Sequence, residues 1–152
     1  MILENLKLSG QLNIVLKDKA GNIKDERVEK NLVVNAGLAY IASRMTGTSK
    51  AVMSHMALGS GTTAAAASQT DLVTLLGSRE ALDSSTLTGS NNEKVAYVSA
   101  FEAGDATGAV TEAGIFNAAS GGDMLCRTVF SVVNKAADDT MSITWTITLA
   151  AS

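Results

Sequence analysis

An antiparallel β-sandwich or small barrel carrying two short helices is the fold the sequence predicts, and three observations predict it. Met141, Ile143, Trp145, Ile147 and Leu149 alternate with Ser142, Thr144, Thr146 and Thr148, the period-two pattern of a strand with one dry and one wet face. Similar runs recur at roughly ten-residue spacing, with Gly, Asn and Asp turns between them. The chain has 152 residues, one cysteine and no proline. That is enough for a single core without disulfide or metal support, and its turns must come from Gly, Asn and Asp. One domain over residues 1–152 is expected.

Leu6, Leu8, Gln11, Leu12, Ile14 and Leu16 open the chain with strand alternation, and a bulge is expected around Ser9 and Gly10. Residues 18–22 then form a turn, and residues 23–34 return as a partner strand. Residues 1–34 thus make a charged hairpin, either keeping its outer face in water or serving as an arm against a neighbouring subunit. Asn35 can cap a helix whose Leu38, Ile41, Ala42 and Met45 share one apolar face. Arg44 and Lys50 suit its C-terminal end, and Gly47 lies past its last turn.

Residues 51–58 read as a short strand leading to the glycine loop 59–63. Ser68 and Asp71 resemble a capping box ahead of a second helix that carries Leu72, Leu75 and Leu76 and stops at Gly77. Strands follow over 80–88, over 93–101 with Val95, Tyr97 and Phe101 on one face, and over 109–117. A turn at 120–122 leads to a strand over 123–133, which the polar bend 134–139 would let pair with the last strand, 141–150. Trp145, Ile143, Ile147 and Phe130 are the expected core.

The formal net charge of -3 gives no bulk field to gather phosphates, so nucleic acid is not an expected partner. No apolar run approaches the roughly 20 residues of a spanning helix, and the N-terminus lacks a signal-peptide pattern, so a membrane is not expected either. Cys126 has no disulfide partner and reads as a small apolar strand residue.

Gly59, Gly61 and Ala64 spell G-x-G-x-x-A, with Asp83 about 20 residues on, but a dinucleotide fingerprint needs a parallel βαβ unit that antiparallel strands do not supply. No lysine follows the glycines to make a P-loop. His55, the only histidine, has no G-x-S-x-G serine to serve and reads as a hydrogen-bonded structural residue. One His and one Cys make no zinc set. Glu80, Glu93, Glu102, Asp105 and Glu112 lack the spacing and aromatic platform of a glycosidase. Glu112, inside a strand between Val110 and Gly114, would need a partner if buried, and Arg127 on the next strand is the candidate. No catalytic residue, cofactor or metal is therefore expected, and the chain does not read as an enzyme.

Two stretches carry a resemblance when taken in order. Met56, Ala57, Leu58, Gly59, Ser60, Gly61, Thr62 and Thr63 lead through an expected Leu-rich helix to Arg79; later come Gly108, Ala109, Val110, Thr111, Glu112, Ala113, Gly114, Ile115 and Phe116. This order resembles the attachment domains of tail-collar and tail-fibre proteins of tailed bacteriophages: an A-L-G-x-G turn, a short helix ending near an arginine, and a T-E-x-G-[IL]-F strand before a hairpin. It spans residues 56–152, with the opening hairpin and residues 31–45 as a phage-like lead-in.

The resemblance implies a non-enzymatic virion subunit, assembled in the host cytoplasm as a homo-oligomer and joined to other virion proteins through sheet edges and loops. Because the sequence ends at Ser152 without a shaft, the expectation is a capsid decoration (cement) protein bound to the major capsid protein. The alternative is a tail collar, baseplate or tail-fibre attachment protein with host-receptor or glycan binding. Leu6, Leu8, Gly59 and Gly61 are the expected subunit contacts.

Overall fold

The computed structural model describes residues 5–151. Its ten strands are β1 (Leu6–Lys17), β2 (Ile23–Lys30), β3 (Leu32–Val33), β4 (His55–Gly59), β5 (Glu80–Ala81), β6 (Ser84–Thr88), β7 (Lys94–Phe101), β8 (Gly108–Phe116), β9 (Met124–Lys135) and β10 (Thr140–Ala151), with one helix, α1 (Asn35–Met45). They form two five-stranded sheets, ordered β2-β1-β10-β7-β6 and β3-β9-β8-β4-β5. Every strand pair is antiparallel.

The core lies between the sheets. Met141, Ile143, Trp145 and Ile147 of β10, Leu12, Ile14 and Leu16 of β1, and Phe101 of β7 pack against Met56, Leu58, Val110, Ala113, Ile115, Cys126 and Phe130 of the facing sheet. The alternating pattern of the last strand thus becomes the buried face of an interior strand. Burial pushes the Cys126 thiol well above its ordinary pKa, so it stays protonated and unreactive.

No bulge interrupts β1 at Ser9 and Gly10. The β1–β10 register is unbroken, with Gly10 opposite Ile147, and the irregularity lies instead at Leu16/Lys17 against β2. Gly10 occupies an inward position where a Cβ would collide with the Asn31 side chain. Asn31 needs that space because its Oδ1 accepts the Trp145 indole N–H at 2.9 Å, pairing the one polar atom of the buried ring. Gly10→Ala is expected to displace Asn31 and leave that N–H unpaired, at a cost of about 1–3 kcal/mol. A lower urea midpoint together with an altered near-UV circular dichroism signal from Trp145 would register it.

Three expected connections are redrawn because the chain changes sheet. β9 and β10 do not pair: β9 lies between β3 and β8, and β10 between β1 and β7. The bend between them spans the end of the sandwich, tied by Asp139, whose Oδ2 accepts the Ala136 N–H at 2.8 Å and the Lys24 ammonium at 2.6 Å. Residues 23–34 divide at Asn31 into β2 and β3, and residues 80–88 divide at 82–83 into β5 and β6, each half in a different sheet. Period-two alternation fixes which side of a strand is dry and says nothing of which strand lies beside it. β1 is an interior strand and β2 an outermost one, so the N-terminal hairpin is built into the sandwich. Residues 1–4 lie outside the described residues.

The helix presents a different face from the one its hydrophobic spacing suggests. Gly37 and Tyr40 are buried, whereas Leu38 and Met45 are exposed. Its N-cap is Val34, without a side-chain cap bond, rather than Asn35. The close approach sets the face: a Cβ on Gly37 would collide with the Leu125 carbonyl of β9. Among the described residues there is no second helix, for a reason that lies in the site described next.

Candidate functional site

The connection from β4 to β5, residues 60–79, lies over the outer face of the β3-β9-β8-β4-β5 sheet, and Glu112 and Arg127 lie beneath it. They project from adjacent strands: Arg127 is paired with Gly114, two residues beyond Glu112 on β8. Both side chains are fully buried, and Arg127 donates to Glu112 Oε2 through Nη2 at 2.7 Å and Nε at 2.9 Å. Glu112 Oε1 also accepts the N–H groups of Thr74 at 2.7 Å and Gly61 at 2.9 Å, and Oε2 that of Val73 at 3.0 Å. The remaining guanidinium nitrogen, Nη1, donates to Gln69 Oε1 at 2.9 Å and to the Thr63 carbonyl at 3.0 Å.

A buried ion pair is tolerated when its remaining hydrogen-bonding capacity is met, and here the loop backbone meets it. Burial raises the Glu112 pKa; the N–H groups of Thr74 and Val73, the Arg127 guanidinium and the Gly61 N–H outweigh it, leaving the carboxyl below its ordinary value. It is a sealed, ionised anchor with no open side toward a substrate.

The same bonds explain why residues 72–77 are not helical. Thr74 O accepts the Ser60 N–H and Leu76 N–H donates to Leu58 O, both at 2.9 Å, so the segment runs extended beside the end of β4. Leu72 then packs on Phe116, Met124 and Ala57, while Leu76 reaches the main core. A helix over these residues would withdraw those backbone groups from the strand and from Glu112.

Gly59 and Gly61 are buried in this arrangement and are not surface contacts. A Cβ on Gly59 would collide with the Thr74 carbonyl, and one on Gly61 with the Glu112 carboxylate and Val73. The glycines give the loop its seat, which is the physical content of the G-x-G spacing here. Of the hairpin leucines, Leu6 is exposed and Leu8 packs against the core.

Arg79 fastens the far end of the connection. Its Nη1 donates to the Ala118 and Gly121 carbonyls at 2.8 Å each, and its guanidinium stacks 3.5 Å above the Phe116 ring. The order of motifs marked this arginine, but nothing in its spacing gave its partners. The other polar candidates are held locally. His55 Nδ1 lies 2.8 Å from Ser54 Oγ, Glu93 accepts the Asn91 N–H, Asp105 accepts the Glu102 N–H, and Glu102 accepts the Thr140 hydroxyl. Glu80 lies 3.5 Å from the Ser78 hydroxyl. The described residues contain no group of three His, Cys, Asp or Glu side chains placed to hold a metal.

No family model, curated protein or solved structure matches the chain.

What the molecule offers to solvent is therefore its edges and faces. The outermost strands of the two sheets differ in character. β2 carries Lys24, Asp25, Glu26, Arg27, Glu29 and Lys30, and β3 and β5 are two residues each. β6, with the sequence SSTLT, has no charge and is largely exposed. Beside it runs a groove of about 200 Å³ between β6, β7 and α1, lined by Ser85, Thr86 and Leu87 of β6 together with Tyr40, Val52, Met53, Val95 and Tyr97. Leu87 and Val52 are 61% and 62% exposed there, so this apolar strip is not covered by the chain itself. Burial, with Tyr40 and Cys126 nearby, pushes the Tyr97 hydroxyl up to about 12, keeping the groove wall uncharged.

Proposed function

We propose that the chain is a non-enzymatic structural subunit of a tailed-phage virion, a capsid decoration protein that stabilises the particle through contacts with its neighbours. The observation that carries this reading is the uncharged edge of β6 beside an uncovered apolar groove. A free strand edge is a template for pairing, and proteins that must stay apart guard such edges with charge or shorten them, as β2, β3 and β5 are guarded or short here. The occupant is an extended segment of an adjacent virion subunit that adds to β6 and places alternate apolar side chains beside Leu87 in the groove. The sealing of Glu112 and Arg127 supports a role without catalysis, and the ordered phage-like motifs support the virion setting.

A tail collar, baseplate or fibre-attachment role is the second reading, favoured by a cleft on the outward face of the β2-β1-β10-β7-β6 sheet that Lys7, Lys30 and Lys94 line. Imaging a C-terminally labelled chain in purified particles separates the two. Label over the head is expected; label confined to the tail selects the second reading, and unlabelled particles refute both.

Thr86→Lys tests the edge together with the groove that Thr86 helps line. Thr86 is exposed, so the change should stay within about 0.5 kcal/mol of the parent stability while sharply reducing incorporation into particles. A thermal melt paired with quantitative immunoblotting of purified particles reads both effects.

A further inference from the structure

A cleft of about 550 Å³ lies on the outward face of the β2-β1-β10-β7-β6 sheet. Its floor is made of two cross-strand pairs, Ser9 with Thr148 and Gln11 with Thr146, on neighbouring β1 and β10. Its rim carries Lys7 from β1, Lys30 from β2 and Lys94 from β7. Among the described residues these three ammonium groups enter no ion pair, as is also true of Lys17, Lys19, Arg44 and Lys135; what sets the three apart is that they share one cleft. No carboxylate lines the cleft. Glu93, next to Lys94, is turned to the Asn91 N–H, and Glu29, opposite Leu12, faces the other side of the sheet. In a chain of net charge -3, three ammonium groups around one cleft are a local concentration of positive charge, although the adjacent Glu93 carboxylate is close enough to feel Lys94.

The floor decides the class of ligand. β1 and β10 are interior strands, so their N–H and C=O groups are spent in the sheet, and an extended acidic peptide would find no backbone to pair with. No aromatic side chain lines the cleft, so a nucleic acid would find nothing for its bases to stack on. Hydroxyl and amide groups ringed by ammonium groups suit a ligand that is itself both hydroxylated and anionic. We propose that this cleft binds an acidic carbohydrate, its carboxylates meeting Lys7, Lys30 and Lys94 and its hydroxyls meeting Ser9, Gln11, Thr146 and Thr148. The inference does not rest on the virion reading, and the purified chain is sufficient to test it.

The test titrates the isotopically labelled protein with a short oligogalacturonate and follows amide shifts. The comparison ligands are a neutral oligosaccharide of the same length, polyglutamate and inorganic phosphate. Saturable shifts at Ser9, Gln11, Thr146 and Thr148 with oligogalacturonate alone are expected. Lys94→Gln should weaken binding about tenfold, the loss of one charge-assisted contact, and Thr146→Val should weaken it with the lysines in place. Absence of saturable shifts, equal binding of polyglutamate, binding of phosphate only, or insensitivity to both substitutions would each overturn the assignment.

Discussion

Glu112→Gln is expected to destabilise the protein by about 3–5 kcal/mol, because it leaves the Arg127 guanidinium buried without its counter-charge. Against a total stability on the order of 5–15 kcal/mol, that is enough to show as a large fall in the urea midpoint. The damage should be local first. Residues 60–79 lose the charged acceptor that gathers the Gly61, Val73 and Thr74 N–H groups, so limited proteolysis should cut there before the sandwich unfolds.

The double variant Glu112→Gln/Arg127→Met separates an anchor from a bare ion pair. If the two charges only neutralised each other, removing both would restore most of the loss. Here the amide that replaces the carboxylate offers one acceptor oxygen where there were two, and the Thr63 carbonyl and Gln69 lose the guanidinium, so the double variant should stay well below the parent.

The pH dependence follows from the lowered pKa of Glu112. A group whose folded pKa lies below its unfolded value stabilises the fold fully above the unfolded value, about 4.3 for glutamate, and that contribution is lost as pH falls through the folded one. The melting temperature of the parent should therefore fall more steeply below about pH 4.3 than that of Glu112→Gln, which lacks the titrating group.

Trp145→Ala should cost about 3–5 kcal/mol, the range for removing a large aromatic side chain from a packed core. Trp145 is fully buried among the inward faces of both sheets, with Asn31 bonded to its indole, so the substitution opens a cavity and orphans a buried amide at once. Trp145→Phe refills most of the cavity but leaves Asn31 Oδ1 without its donor. Its loss should be smaller and close to that of Gly10→Ala, which breaks the same bond from the other side. Chemical denaturation of the three variants side by side checks that order.

The parts of the fold legible in the sequence are those where one residue's neighbour along the chain determines its environment. The alternation of residues 141–149 marks the buried face of β10, and the turns at 18–22 and 120–122 mark where strands end. Sheet membership was not legible, because Asn31 and residues 82–83 and 134–139 carry the chain between sheets without disturbing the alternation on either side. The helix expected to start at the Ser68–Asp71 capping box and stop at Gly77 shows the opposite limit. Its Ser, Asp and leucine spacing is a sound local signal, overridden by a carboxylate 38 or 39 residues away that gathers the Val73 and Thr74 N–H groups.

The site was legible in one respect. A glutamate inside a strand demands a cation, and Arg127 was in reach. That Gly59 and Gly61 exist to admit that glutamate, and that Arg79 closes the far end on Phe116, depends on contacts between distant segments that no spacing encodes. The uncharged edge of β6 could have been found earlier, since SSTLT is a strand-length run without charge, had its position at the rim of a sheet been known.

The most direct test of a contact-based virion role is the copy number of this chain in purified phage particles, measured by quantitative mass spectrometry for the parent and for Thr86→Lys. The expected result is a fixed, multiple-copy stoichiometry for the parent and a sharp loss for a variant that folds and melts as the parent does. A parent chain missing from particles would contradict the virion role, and a variant incorporated at the parent's stoichiometry would contradict the role of the β6 edge.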